Sequence, residues 1–136
     1  MERDELIEKA LAMAQVAYAP YSRFRVGAAV RAASGRIYGG ANVENASYGA
    51  TICAERNAIC AAILAGERRL AAIAICGGPD GKAADYCPPC GICRQAMREF
   101  CDPAAFEVIL ARSVADRRVF TLAQLLPESF GPEALV

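Results

Sequence analysis

Apolar periodicity along this chain switches between 3.6 and two in one particular order, and that order constrains the fold more than any other feature. Val26, Ala28 and Val30 recur at every second position of Arg25–Ala33, the pattern of a strand. Ser34-Gly35 is a hairpin turn signal, and Arg36–Ala41 is the return strand. Ahead of the hairpin, Leu6, Ile7, Ala10, Leu11 and Ala14 stand at helical spacing. They predict a helix capped by Asp4, running to about Tyr18 and ended by Pro20. Behind the hairpin comes a polar loop over Asn42–Ala50, then a helix from Thr51 or Ile52 to about Ala65, closed by Gly66. Leu70–Cys76 is an apolar strand, Gly77–Pro89 a loop, Cys90–Phe100 a helix and Phe106–Ala111 a strand. A short strand over Val119–Thr121 and a helical turn over Leu122–Leu126 precede a tail from Pro127. This order argues an α/β layered domain with a mixed sheet. The length of 136 residues suits one domain, spanning 1–136.

Composition removes whole classes of function. The chain is 55% hydrophobic, too apolar for a disordered protein. Fifteen basic residues balance fifteen acidic ones, whereas polynucleotide binders usually carry a basic excess. A neutral small molecule therefore fits better as substrate than a nucleic-acid strand. Met1-Glu2-Arg3-Asp4-Glu5 is charged and no long apolar run follows, so a cytoplasmic protein with no membrane partner is expected. Its seven cysteines are then thiols or metal ligands. Histidine is absent. That removes Ser-His-Asp and Cys-His systems and the H-E-x-x-H zinc helix. A metal site must use cysteine and carboxylate, and a general acid or base must be Asp, Glu, Lys, Tyr or Cys.

Two C-x-x-C motifs overlap at Cys87-Pro88-Pro89-Cys90 and Cys90-Gly91-Ile92-Cys93. A thiolate knuckle uses backbone N–H groups after its first cysteine, and two prolines have none to give. Cys90 and Cys93 are therefore the better pair, with Pro89 stiffening the approach. Cys53, at the start of the second helix, is the best third ligand, because a helix N-terminus favours a thiolate. Cys60 lies too far along that helix to share the ion, and Cys60, Cys76 and Cys101 read as core thiols. Three cysteines leave zinc one open position, the catalytic pattern. Glu55, two residues after Cys53, has poor spacing for chelation but can sit beside a metal-bound water as a proton shuttle. A structural site completed by Cys87, or redox use of Cys87 and Cys90, stays open on the residues alone.

Together, Cys53-Ala54-Glu55 and Pro89-Cys90-Gly91-Ile92-Cys93 match the all-cysteine form of the zinc deaminase pattern. Over nearly the whole chain the sequence resembles the cytidine deaminase family in its short tetrameric form. Tyr21–Ala29 is similar to the family's first-strand entry, Asn42–Gly49 to its nucleoside-binding segment and Leu125–Phe130 to its C-terminal segment. Cys53–Arg56 and Pro89–Gln95 are similar to its two zinc segments. Asn57 departs from the family pattern, where a small residue or Thr is usual, and the loop with Cys87 is slightly long.

The resemblance implies a three-layer α/β/α sandwich with a central sheet of about five strands, one Zn2+ per chain, and a homotetramer with shared active sites. It implies hydrolytic deamination of free cytidine or deoxycytidine. In the segment Asn42-Val43-Glu44, Asn42 and Glu44 would hold the ribose hydroxyls. Phe24 would pack on the pyrimidine, and backbone groups near Ala54 and Cys90 would read the base edge. Tyr48 and Phe130 would stand near subunit boundaries. Arg56, beside the site, would donate hydrogen bonds to a thiolate and offset negative charge. Plainer roles compete: Phe24 and Phe130 as core, Asn42 as a turn residue, Arg56 as a surface ion pair. Competing functions are a blasticidin-type or polynucleotide deaminase, and a four-cysteine interaction module.

Overall fold

The computed structural model describes residues 2–136. Helix α1 (Glu2–Ala14) leads into strands β1 (Phe24–Ala32) and β2 (Ile37–Ala41). Helix α2 (Ala54–Leu64), strand β3 (Leu70–Pro79), helix α3 (Gly91–Glu99) and strand β4 (Glu107–Ala111) follow. Strand β5 (Arg117–Thr121) and the short helix α4 (Leu122–Leu125) complete the elements, apart from 3-10 turns at Tyr48–Ala50 and Pro132–Ala134. The sheet order is β2-β1-β3-β4-β5. Only β3 and β4 run parallel; the other pairs are antiparallel, so the sheet is mixed as the sequence predicts.

Strand alternation divides the core into two layers. Ala28, Val30, Ile73, Ile75, Val108 and Leu110 face one side, where they pack with Ala58 and Ala62 of α2 and Cys93 and Met97 of α3. Ala29, Ala74, Cys76, Ile109 and Ala111 face the other side, against Leu6, Ile7 and Ala10 of α1. The result is an α/β/α sandwich in which α2 and α3 share one sheet face. Gly40 lets α2 approach β2 closely: a Cβ there would lie 2.3 Å from the Ala58 nitrogen and 2.6 Å from the Ala54 oxygen. Gly27 does the same for α1, with only 2.0 Å to the Ala10 oxygen.

Several boundaries differ from the sequence-based expectation. Helix α1 stops at Ala14 instead of reaching Tyr18, and Asp4 lies inside it and pairs with Arg117 instead of capping. Tyr18 is drawn into a bridge with Val43: its N–H donates to the Asn42 oxygen at 3.0 Å, and the Glu44 N–H donates back to Tyr18 at 2.8 Å. A non-local bridge thus ends the local helix before Pro20 does. Strand β3 runs on to Pro79, because Gly77 and Gly78 pair with Val26 and Arg25 where the sequence suggests a loop. Strand β5 starts two residues earlier than expected, as Arg117 and Arg118 pair with Ala111 and Leu110. Cys60 is not a core thiol; it is exposed on the outer face of α2, whereas Cys76 is buried. Among the described residues, no helix is long and apolar enough to cross a membrane.

Candidate active site

Cys53 and Cys90 are the N-cap residues of α2 and α3, both in extended conformation. Since α2 and α3 lie on the same sheet face, their N-termini meet there. The sulfurs of Cys53, Cys90 and Cys93 all lie within 4.8 Å of one another. The Cys53–Cys90 separation is 3.9 Å and the Cys90–Cys93 separation 3.4 Å. Thiolates at a tetrahedral zinc, with bonds of about 2.3 Å, stand about 3.8 Å apart. The three residues therefore fit a zinc ion in both donor chemistry and spacing. Cys87 does not join this group. It is half-buried, and its thiol is pushed up to about 11, by burial first and then by Glu55 and Cys53.

The three thiols differ in environment. Cys93 is fully buried, and burial followed by the nearby Glu55 raises its pKa. Cys90 is exposed. Burial of its sulfur opposes ionisation, yet the Cys93 backbone N–H and contacts with the Cys93 and Cys53 sulfurs carry it below the ordinary thiol value. Arg56 Nη2 donates to Cys53 Sγ at 3.7 Å. Its buried Nε has no partner among the described residues.

Glu55, in the first turn of α2, is 5% exposed. Burial raises its pKa, opposed by its own backbone N–H, by Cys93 and by Arg56. Its carboxyl thus sits beside the sulfur group without belonging to it. Asn57, the departure from the family pattern, donates from Nδ2 to the Ala41 oxygen at 2.8 Å. It ties the first turn of α2 to the end of β2, a role that spacing alone does not signal. Pro89 is buried, and its oxygen accepts from Arg94 Nε at 2.8 Å.

Of the residues expected to face substrate, Glu44 and Tyr48 line one cavity, whereas Phe24, Asn42, Val43, Ala54 and Phe130 lie outside its lining. Val43 and Ile52 exchange backbone hydrogen bonds at 3.0 Å, so the segments around 43 and 52 run side by side into Cys53. A cavity of about 390 Å³ is lined by Tyr21, Ser22, Glu44, Asn45, Tyr48 and Thr51. Glu44 accepts from the Tyr21 and Ser22 N–H groups at 3.0 and 3.1 Å and from the Ser22 hydroxyl. The Ser22 hydroxyl holds this carboxyl below its ordinary range, burial acts the other way, and the two N–H groups add to the lowering. Asn42 is buried: Oδ1 accepts from the Val26 N–H and Nδ2 donates to the Phe24 oxygen, both at 2.9 Å. Phe24 and Phe130 stand outside the core, 41% and 66% exposed, and Tyr48 is 78% exposed. Tyr21, Ser22 and Thr51 also line the cavity, a role that the sequence alone does not signal. Tyr21 and Ser22 open the Tyr21–Ala29 motif, and Thr51 lies just before Cys53.

Residues 1–108 match the family model described as the cytidine and deoxycytidylate deaminase zinc-binding region. The chain belongs to this family. It is 46% identical to a cytidine deaminase of Halalkalibacterium halodurans, over 98% of this chain and 97% of that one. A cytidine deaminase of Sporosarcina psychrophila is 40% identical, over 99% and 96% of the two chains. The crystal structure of cytidine deaminase from Burkholderia pseudomallei superposes with a TM-score of 0.83 at 46% identity, covering 93% of this chain and 97% of that one. That of the Mycobacterium tuberculosis cytidine deaminase gives 0.81 at 40% identity, covering 96% and 98%. The family's fold and zinc-binding character agree with the five-stranded sandwich and the three-sulfur group.

Proposed function

We propose that this chain, acting as one domain, hydrolyses the 4-amino group of free cytidine or deoxycytidine, giving uridine or deoxyuridine and ammonia. The observation that carries this is the three-sulfur group with the buried Glu55 carboxyl beside it, in a chain of this family. Cys53, Cys90 and Cys93 would hold the zinc. Bound there, zinc supplies a Lewis acid that brings the pKa of a water near neutrality.

Glu55 carries the protons. It accepts one from the attacking water and delivers it to ring N3 as oxygen bonds to C4. It then takes the remaining proton from the new C4 hydroxyl and passes it to the amine; the C4–N bond breaks, the C4 carbonyl forms, and water plus cytidine have become uridine and ammonia. A carboxyl group suits both transfers because burial strengthens it as a base that can take a proton and pass it on. Three thiolates would carry more negative charge than a divalent zinc ion cancels. Arg56 and the two helix N-termini offset part of that excess.

Glu44 and Asn42 would hold the ribose. Glu44 borders the cavity with a lowered pKa, so it is ionised and able to accept from hydroxyls. Asn42 keeps one N–H and further acceptor capacity beyond its two backbone bonds. Phe24 would lie on the pyrimidine, Val43 beneath the ribose segment, and backbone groups at Ala54 and Cys90 against the base edge.

We further propose a homotetramer in which Tyr48 and Phe130 complete neighbouring sites. Its support is the exposed set Tyr21, Phe24, Tyr48, Ile52 and Phe130, together with a positive mean hydropathy of +0.22. Sedimentation should give four chains, and a fully active monomer would refute the shared site. Seven thiols free of disulfides suit a reducing, cytoplasmic setting. The deciding experiment follows the absorbance of cytidine during incubation, with cytosine, cytidine monophosphate and an oligonucleotide in parallel. Loss with cytidine alone, or far faster than with the others, supports the reading. Equal rates on the monophosphate would overturn the choice of free nucleoside.

A further inference from the structure

Cys90 is the most exposed of the three sulfur ligands, and the chain leading into it, 80–89, forms neither helix nor strand. Something must nevertheless fix that approach, and Tyr86 is built into an assembly suited to the task. Its hydroxyl donates to Asp116 Oδ1. Asp116 Oδ2 accepts from Arg112 Nε at 2.6 Å. The Arg118 guanidinium stands 4.2 Å and that of Arg112 5.3 Å from the Tyr86 ring centroid. Arg112 Nη1 also donates to the Ala84 oxygen at 3.4 Å. The turn between β4 and β5 that supplies Arg112 and Asp116 is itself closed: the Arg112 N–H donates to the Asp116 oxygen at 2.9 Å, and the Asp116 N–H to Ser113 Oγ at 3.0 Å. One tyrosine thus fastens the loop to the β4–β5 hairpin at the sheet's edge.

We propose that Tyr86 is a positioning residue for the metal centre: pinned to Asp116, Arg112 and Arg118, it anchors the Cys87-Pro88-Pro89 strut that holds Cys90 in ligating position. This rests on the three-cysteine zinc assignment above. Only three residues separate Tyr86 from Cys90. Two of them are prolines with φ locked near −65°, and Cys87 is restricted by the proline after it. So short and stiff a connection transmits the tyrosine's position to the cysteine. The far end is held as well, since Arg94 bonds the Pro89 oxygen and reaches the Leu125 oxygen at 2.6 Å. Without the Tyr86 anchor, the strut keeps only the packing of Cys87 and Pro89, the Arg94 bond and the long Arg112–Ala84 bond, and the exposed sulfur dissociates more often.

The test uses the full, zinc-loaded protein and follows release of zinc to a chromogenic chelator, with thermal unfolding measured alongside. Tyr86→Ala should start with one zinc per chain and release it at least about tenfold faster, the scale of losing a group that orients a metal ligand. Tyr86→Phe keeps the cation–ring contacts but not the Asp116 bond and should fall between, as should Asp116→Asn if Tyr86→Ala does not fold. Ile7→Val, in the opposite core layer, is the control for general destabilisation. It should lower the melting temperature without faster release. Unchanged release in the Tyr86 and Asp116 variants, or a gain no larger than that control shows for the same melting shift, would overturn the proposal. A wild-type protein without zinc on Cys53, Cys90 and Cys93 would instead overturn the metal assignment, and this proposal with it.

Discussion

At the N-termini of α2 and α3, the three sulfurs come together within one chain and most groups around them are buried. In the neighbouring segments 21–24, 42–52 and 127–130, by contrast, large apolar side chains stand in the open. Cys93 and Glu55 are buried and Arg56 reaches Cys53, while Tyr48 is 78% and Phe130 66% exposed. The difference teaches that a single chain can build the chemistry of the site but leaves the enclosure of its substrate unfinished. The metal pole is set by helix starts and a rigid knuckle. The open pole leaves Tyr48 and Phe130 uncovered within one chain, the feature on which the proposed oligomer rests.

Substitutions can break this contrast or sharpen it. The largest effect is expected for Cys93→Ser, which removes a fully buried ligand. Zinc measured by elemental analysis should fall from one per chain to near zero, and turnover with it. Retention of full zinc would show that the metal pole is not where the sulfurs meet.

Glu44→Ala should act on the open pole alone. It should lower kcat/KM for cytidine by about one to two orders of magnitude, the scale of lost charge-assisted hydrogen bonds, and affect cytosine far less. Zinc content should not change. Equal losses on both substrates would move Glu44 from ribose binding to general loop structure. Its hydrogen bonds hold the folded-state pKa below the unfolded value. The order they lend to Tyr21 and Ser22 is therefore present above the unfolded pKa and fades as pH falls through the lowered one.

Arg56→Gln should cost about 10- to 100-fold in turnover or zinc affinity, because it removes positive charge from beside the thiolates without removing a ligand. An unchanged rate and pH profile would reject that role. The smallest effect belongs to Cys87→Ser, which should keep one zinc and near-normal turnover, with stability changed by roughly 1 kcal/mol. Loss of zinc as complete as in Cys93→Ser would make Cys87 a fourth ligand and the site a closed, structural one.

How much of this was legible in the sequence differs by region. The metal pole was largely readable, since histidine is absent, only one C-x-x-C is free of internal proline, and helix starts favour thiolates. The strand alternation in β1 and the order of elements likewise point to the mixed sheet. What could not be read was non-local. Tyr18 leaves the helix because Asn42 and Val43 offer it a bridge. Gly77-Gly78 looks like a turn but pairs with β1. The Arg-rich start of β5 carries no apolar signal because that edge strand is partly exposed. Asn57 is unremarkable on a helix until Ala41 is brought against it.

The central claim is that Glu55 moves the protons of the reaction and does not hold the metal. Glu55→Gln tests it most directly, because the amide keeps the size and much of the hydrogen bonding but cannot carry a proton. Zinc per chain and turnover of cytidine should be measured on the same preparation. The account predicts one zinc, an unchanged oligomer and turnover lower by at least about 10²–10⁴-fold. Full zinc with near wild-type turnover would contradict it.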